Sequence, residues 1–183
     1  MGALEGDYHR GRLPGDLHPS LVEGVALHRA VDGFTDSHPL LAELRGQFPA
    51  ETRRYAGIML DLCFDHYLSL HWSTFSDTSR DAFCTEVYAI LRRGAGELSD
   101  RGKRAALWLE EYDVLNRYDD WATVIGAADR VGQRLRRANP LHRAAEILEP
   151  LRPELEAVFL VFYPELVRFA GNNAKLAAPQ PAN

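Results

Sequence analysis

The sequence is poor in cysteine. Its two, Cys63 and Cys84, form no Cys-x-x-Cys, which excludes a zinc ribbon. Both fall in helix-like stretches and read as small apolar core residues of a reducing compartment. Lysine is almost absent: of 21 basic residues only Lys103 and Lys175 are not arginine. Arginine forks suit phosphate and carboxylate recognition, and the same bias can arise from genome composition. No apolar run approaches the ~18 residues of a membrane span. The opening Met-Gly-Ala-Leu-Glu-Gly-Asp lacks the basic and apolar regions of a signal peptide. The expectation is a cytoplasmic protein with no membrane partner. Gly-x-Ser-x-Gly and Walker-type loops are missing, and neither cysteine has a placed base, so common serine, thiol and P-loop chemistries have no support. No stretch of strict apolar alternation is long enough for a strand.

What remains is helical. With 183 residues and a 46% apolar fraction, the chain fits one domain that buries a sizeable core. The formal charge of −5 argues against general nucleic-acid binding. Residues 1–20 read as an irregular lead-in. Helical patterns follow over about 20–33, from Asp36 or Ser37 as N-cap to about Phe48, and from Pro49 to about Trp72. Others cover roughly 78–91, 99–111, 119–137, 142–148 and 153–169. The 119–137 stretch is strongly amphipathic, with Arg130, Arg134, Arg136 and Arg137 off its apolar face. The expected fold is all-α, a single-domain helical bundle over 1–171, with a disordered tail over 172–183.

Polar residues inside apolar helices are the informative ones. His28 and Asp32 stand at i, i+4, one turn apart on one face. Such a pair can share a metal ion or form an ordinary hydrogen bond. Asp61 and Asp65 repeat the spacing among large apolar groups, on one stripe with Arg54. Two such carboxylates require a cation, solvent, or Arg54 as a salt-bridge partner. Asp65 is followed by His66. Imidazole and carboxylate together suit a hard or borderline divalent ion, which can activate water and offset phosphodiester charge. His9 and His38 read as surface or capping residues, and His71 and Trp72 as the packed end of a helix.

At these residues the sequence resembles the acyl carrier protein phosphodiesterases. Gly6-Asp7-Tyr8-His9-Arg10-Gly11 is similar to their Gly-Asp-Phe-x-x-Gly segment. Residues His28-Arg29-Ala30-Val31-Asp32-Gly33-Phe34-Thr35-Asp36 resemble their His-Arg-x-Ile-Asp-x-x-Thr-Asp block. Glu51-Thr52-Arg53-Arg54-Tyr55 resembles the next, and Asp61 to Leu68 the Asp-x-x-x-Asp-His-Phe-Leu block. The likeness runs from Gly6 to about Phe169. Family members usually carry a short His-containing apolar segment ahead of the Gly-Asp block, and this chain starts almost at that block.

The resemblance implies an HD-phosphohydrolase-like helical enzyme using a divalent ion, often manganese, with Mg2+, Fe2+ or Zn2+ as alternatives. It implies hydrolysis of holo-acyl carrier protein, releasing 4′-phosphopantetheine and leaving apo-acyl carrier protein, a reaction tied to fatty acid biosynthesis. The implied ligands are Asp7, His28, Asp32, Asp65 and His66, with Asp36, Arg53, Arg54 and Asp61 in support. Arg10, Arg12, Arg29, Arg53 and Arg54 are the expected attraction for the acidic carrier protein. Two other readings compete: an HD-like hydrolase of a small phosphate ester or nucleotide, and a non-catalytic carrier-protein-binding module.

Overall fold

A computed structural model describes residues 1–15 and 17–177, with backbone alone for 174–177. It is all-α, and no strand occurs among the described residues. The helices are α1 (Gly2–Gly6), α2 (Pro19–Ser37), α3 (Pro39–Gln47), α4 (Ala56–Leu70), α5 (Trp72–Phe75), α6 (Arg80–Arg93), α7 (Asp100–Glu111), α8 (Trp121–Arg134), α9 (Ala144–Leu148) and α10 (Arg152–Ala177). None is long and apolar enough to cross a membrane. The residues group into two compact units. Unit 1 holds Met1–Ser37, Thr85–Asp113 and the chain from Tyr163; unit 2 holds His38–Cys84 and Val114–Phe162.

Unit 1 closes on Leu21, Leu91, Leu98 and Ala106, with Met1, Leu4, Leu17, Val87 and Leu109 packed around them. Each leucine removed from water contributes about 1.5–3 kcal/mol. The short α1 is held by contacts from far along the chain. It lies on α2 where Gly2 meets Gly24 so closely that a Cβ on either glycine would overlap the other's backbone. Glu5 is fully buried. It accepts the Ser99 N–H at 2.7 Å and lies 2.9 Å from His9 Nε2. Ser99 is the N-cap of α7 and its side chain accepts the Gly102 N–H. In a capping box the third helical residue reaches back to the N-cap N–H. Here that residue is Gly102, and Glu5 supplies the carboxylate from α1. A Cβ at Gly102 would overlap the Glu5 oxygen.

Unit 2 packs α3, α4, α8 and α9 with the first half of α10. Its core includes Leu41, Leu44, Phe48, Met59, Cys63, Val124, Ala128, Leu148, Phe159 and Phe162. Phe64 meets Phe159 at 5.5 Å and Phe162 at 5.7 Å between ring centroids. Cys63 and Cys84 are both buried thiols, in keeping with core roles. The buried Cys63 thiol is pushed up to about 12, chiefly by loss of hydration.

Several boundaries differ from the sequence pattern. The lead-in contains α1. Helix α2 does not end near Gly33 but reaches Ser37, and Phe34 beyond that glycine stacks on Phe169 at 4.5 Å. It stops where His38, ahead of Pro39, must turn extended. His38 is therefore the N-cap of α3, with no side-chain cap bond. It is buried rather than superficial, edge-on to Phe162 at 4.9 Å. The 49–72 pattern begins with a 3-10 turn at Arg53–Tyr55 before α4. Helix α10 continues to Ala177, past the expected start of the tail at 172. Residues 178–183 of that tail lie outside the described residues.

Candidate functional site

In unit 1 the geometry begins with a glycine. Gly6 ends α1, and a Cβ there would overlap the His28 ring. The glycine therefore lets the imidazole lie against the backbone that carries Asp7. His28 Nε2 stands 3.2 Å from Asp32 Oδ2 and 3.6 Å from Asp7 Oδ1. The His28 side chain is 21% exposed, and those of Asp7 and Asp32 are 64% and 60% exposed. The proximity of protein raises the Asp7 pKa, with His28 opposing and Asp32 adding to the effect. The exposure of that carboxylate limits the shift, because water still reaches it. Arg29 Nη2 donates to the His9 carbonyl at 2.9 Å, tying the segment after Asp7 to α2. Asp36 lies exposed one turn beyond Asp32. The structure thus brings together Asp7, His28 and Asp32, three of the expected ligands.

In unit 2 Asp61 and Asp65 are both exposed on α4. Asp65 keeps open surface yet is deeply surrounded by protein. That enclosure and then the neighbouring Asp61 push its carboxyl up to about 7. Both causes disfavour the charged form. Asp65 also helps raise the Tyr118 hydroxyl to about 12, after the larger effect of burial.

His66, about 100° further round α4, is buried in the packing. Its ring meets Trp121 at 5.1 Å and Tyr67 at 5.2 Å between centroids. Nδ1–H donates to the Tyr118 carbonyl at 2.7 Å. Nε2 is buried with no hydrogen-bond partner. Burial, the largest influence, lowers the His66 pKa. The structure therefore places Asp65 with Asp61 on the open face, and His66 in the interior.

The two arginines part company. Arg53 Nη2 donates to the carbonyls of Gly46 and Phe48 at 3.0 and 3.3 Å, closing the C-terminal end of α3. Arg54 is exposed, with its guanidinium 5.2 Å from the Tyr55 ring centroid.

Among the described residues no group of three or more His, Cys, Asp and Glu side chains is already arranged to hold a metal ion, the Asp7–His28–Asp32 cluster included. The donor chemistry nonetheless suits a divalent ion. Asp7, His28 and Asp32 mix imidazole nitrogen with carboxylate oxygen. His66 has one nitrogen fixed by a carbonyl and the other unpartnered, the arrangement that orients ligand histidines.

Sequence reasoning missed Glu5, and the roles of Gly6 and Gly24 in admitting His28 and α1. A lone glutamate among the small and apolar residues of Ala-Leu-Glu-Gly was the available signal.

The family model for acyl carrier protein phosphodiesterase matches residues 1–166. The chain belongs to the acyl carrier protein phosphodiesterase family. Among its relatives, the acyl carrier protein phosphodiesterase of Photorhabdus laumondii subsp. laumondii is 30% identical over 181 residues, covering 98% of this chain and 91% of the relative. That of Salmonella agona is 34% identical over 179 residues, covering 94% and 90%. That of Klebsiella pneumoniae strain 342 is 31% identical over 176 residues, covering 93% and 89%. No solved structure matches, so the likeness to HD phosphohydrolases rests on sequence resemblance.

Proposed function

We propose that this chain hydrolyses the phosphodiester of holo-acyl carrier protein. Water adds to phosphorus and the bond from phosphorus to the carrier serine oxygen breaks. That oxygen takes up a proton, and 4′-phosphopantetheine leaves. The observation that carries the reading is the Asp7–His28–Asp32 cluster, built around Gly6 in a chain of this family.

Asp7, His28 and Asp32 would hold a divalent ion, and the resemblance adds Asp65 and His66. Mn2+ is the expected ion, with Mg2+, Fe2+ and Zn2+ as alternatives. When bound, the ion would lower the pKa of water and offset phosphodiester charge. The protein's own groups have distinct tasks. The Tyr118 carbonyl fixes the His66 tautomer by accepting from Nδ1. Without the ion, enclosure by protein and then Asp61 push the Asp65 carboxyl up to about 7; with the ion bound, that carboxylate would serve as a ligand. Arg54 retains an exposed fork for a phosphate oxygen, whereas Arg53 is committed to backbone. Asp36 extends the acidic face of α2.

The test strips purified protein with chelator, restores one metal at a time, and follows holo-carrier mass. Conversion to the apo form with Mn2+, lost in His28→Ala together with bound metal, is expected. Unchanged holo-carrier with every metal, alongside turnover of a small phosphodiester, would overturn the assignment in favour of the small-ester hydrolase.

A further inference from the structure

The chain is net negative, yet residues 130–143 contain five arginines and no acidic residue. Arg130, Arg134, Arg136, Arg137 and Arg143 are all exposed. Arg143 pairs with Glu146 at 2.9 Å. Among the described residues, Arg134, Arg136 and Arg137 meet no carboxylate. We propose that this loop, where α8 gives way to 135–143, is the docking surface for an acidic protein, the carrier protein of the preceding section. The inference rests on that reading for the partner's identity and on unit 2 alone for its geometry.

The loop has a defined shape. Asn139 Nδ2 donates to the carbonyls of Gly132 and Arg137 at 2.9 and 3.1 Å, and its Oδ1 accepts the Leu141 N–H at 3.2 Å. Gly132 is small where a Cβ would stand 2.7 Å from that Oδ1. The Tyr55 hydroxyl donates to the Ala138 carbonyl at 3.3 Å. These bonds fix the backbone carrying Arg136 and Arg137. A concavity of about 340 Å³ opens beside them, lined by Leu135, Arg136, Arg137 and His142 among others. Asp129 also lines it, but its carboxylate already accepts from Gln133 Nε2 at 2.8 Å.

Helix capping does not account for the cluster. Cations at a helix C-terminus contribute about 0.3–1 kcal/mol each, and only within the last turn. That explains Arg134, the last residue of α8, but not Arg136, Arg137 or Arg143. Nucleic acid fits less well, because a protein of net charge −5 repels a long polyanion beyond the patch. A compact acidic face meets only the patch. Charge complementarity of this kind acts on association and weakens with salt. Of the arginines expected to attract the carrier, Arg29 and Arg53 donate instead to backbone carbonyls. Arg134, Arg136 and Arg137 have no such commitment.

The experiment measures binding of fluorescent apo-carrier protein, which cannot be hydrolysed, by anisotropy at low and high salt. The wild type is compared with the triple variants Arg134→Glu/Arg136→Glu/Arg137→Glu and the corresponding Gln set. Arg101→Glu/Arg104→Glu on α7 is the exposed control. Expected is at least a tenfold rise in Kd for the Glu triple and a smaller rise for the Gln triple. Wild-type binding should weaken in salt, and the control should bind like wild type. With holo-carrier, KM should rise in the triples while kcat holds. Wild-type binding by both triples, or no wild-type binding at all, would overturn the docking surface. So would binding of a DNA duplex at physiological salt in place of the carrier. Carrier binding that depends on the loop, without any hydrolysis, would sink the enzymatic reading and leave the docking surface standing.

Discussion

Two glycines of α2 provide a test of how α1 is held. Gly33 is exposed and has nothing within 4 Å of an added Cβ, whereas a Cβ at Gly24 would overlap the Gly2 backbone. In an open helix, alanine is favoured over glycine by about 0.8–1 kcal/mol. Gly33→Ala should gain about that much. For a chain of 183 residues this is a rise in Tm of roughly 2–4 °C. Gly24→Ala receives the same helical gain but must displace main-chain atoms that cannot swing aside. Overpacking of this kind costs about 1–3 kcal/mol. With the upper end of that range, the net loss is about 2 kcal/mol, lowering Tm by about 4–8 °C. If α1 lifts away, Ser99 N–H loses Glu5 and Asp7 leaves His28. Bound metal should then fall in Gly24→Ala but not in Gly33→Ala. Thermal melts of both variants, with metal analysis, make the comparison. A Gly24→Ala protein as stable as Gly33→Ala would refute the close Gly2–Gly24 approach and the anchoring of Asp7 through it.

The carboxylate of Asp65 gives a pH test. Its pKa, raised from 3.8 to about 7, means the folded chain retains a proton that the unfolded chain sheds. Stability then falls as pH rises from about 4 to about 7. In chelator, Asp65→Asn should remove that slope, so its gain in urea midpoint over wild type should grow across this window and level off above it. An equal gain at pH 4.5 and pH 8 would count against the shift. Glu5→Ala leaves the Ser99 N–H without its acceptor, and such a loss costs about 1–3 kcal/mol. Denaturant titration should show it, and Glu5→Gln, which keeps an acceptor oxygen, should lose less. Asn139→Ala should cost about 1 kcal/mol for each bond not replaced by water. It should also raise the Kd for apo-carrier protein less than the Glu triple does, since the charges remain.

What could be read from the sequence follows the range of the forces involved. Helices α7 and α8 were legible because amphipathic spacing and their caps, Ser99 and Asp120, are local. The His28–Asp32 pair was legible for the same reason, since one helical turn sets it. Asp7 came only through the family resemblance, because nothing local brings residue 7 to residue 28. Helix α1 was not legible at all. Five residues are too few to show a period and too few to be stable alone. It persists because α2 leaves room at Gly24 and α7 leaves room at Gly102. The burial of His66 was not legible for a related reason. Its neighbour Trp121 lies on α8, so its burial is decided far along the chain.

The glycines connect these cases. At Gly2, Gly6, Gly24 and Gly102 the missing Cβ makes room for a specific distant group: a backbone, an imidazole, a backbone and a carboxylate. Gly102 sits at the third position of α7, where a glutamate would complete a local capping box. A glycine there looks like a helix defect, and in isolation it lowers helix propensity. The structure gives it a different meaning: the capping carboxylate comes from Glu5, and the Gly102 backbone must lie close to admit it. The same chain segment that caps α7 then runs directly into Gly6 and Asp7. The buried glutamate that stabilises unit 1 and the carboxylate beside His28 are thus fixed by one short helix. A lesion in that packing should reach the candidate metal ligands without touching any of them.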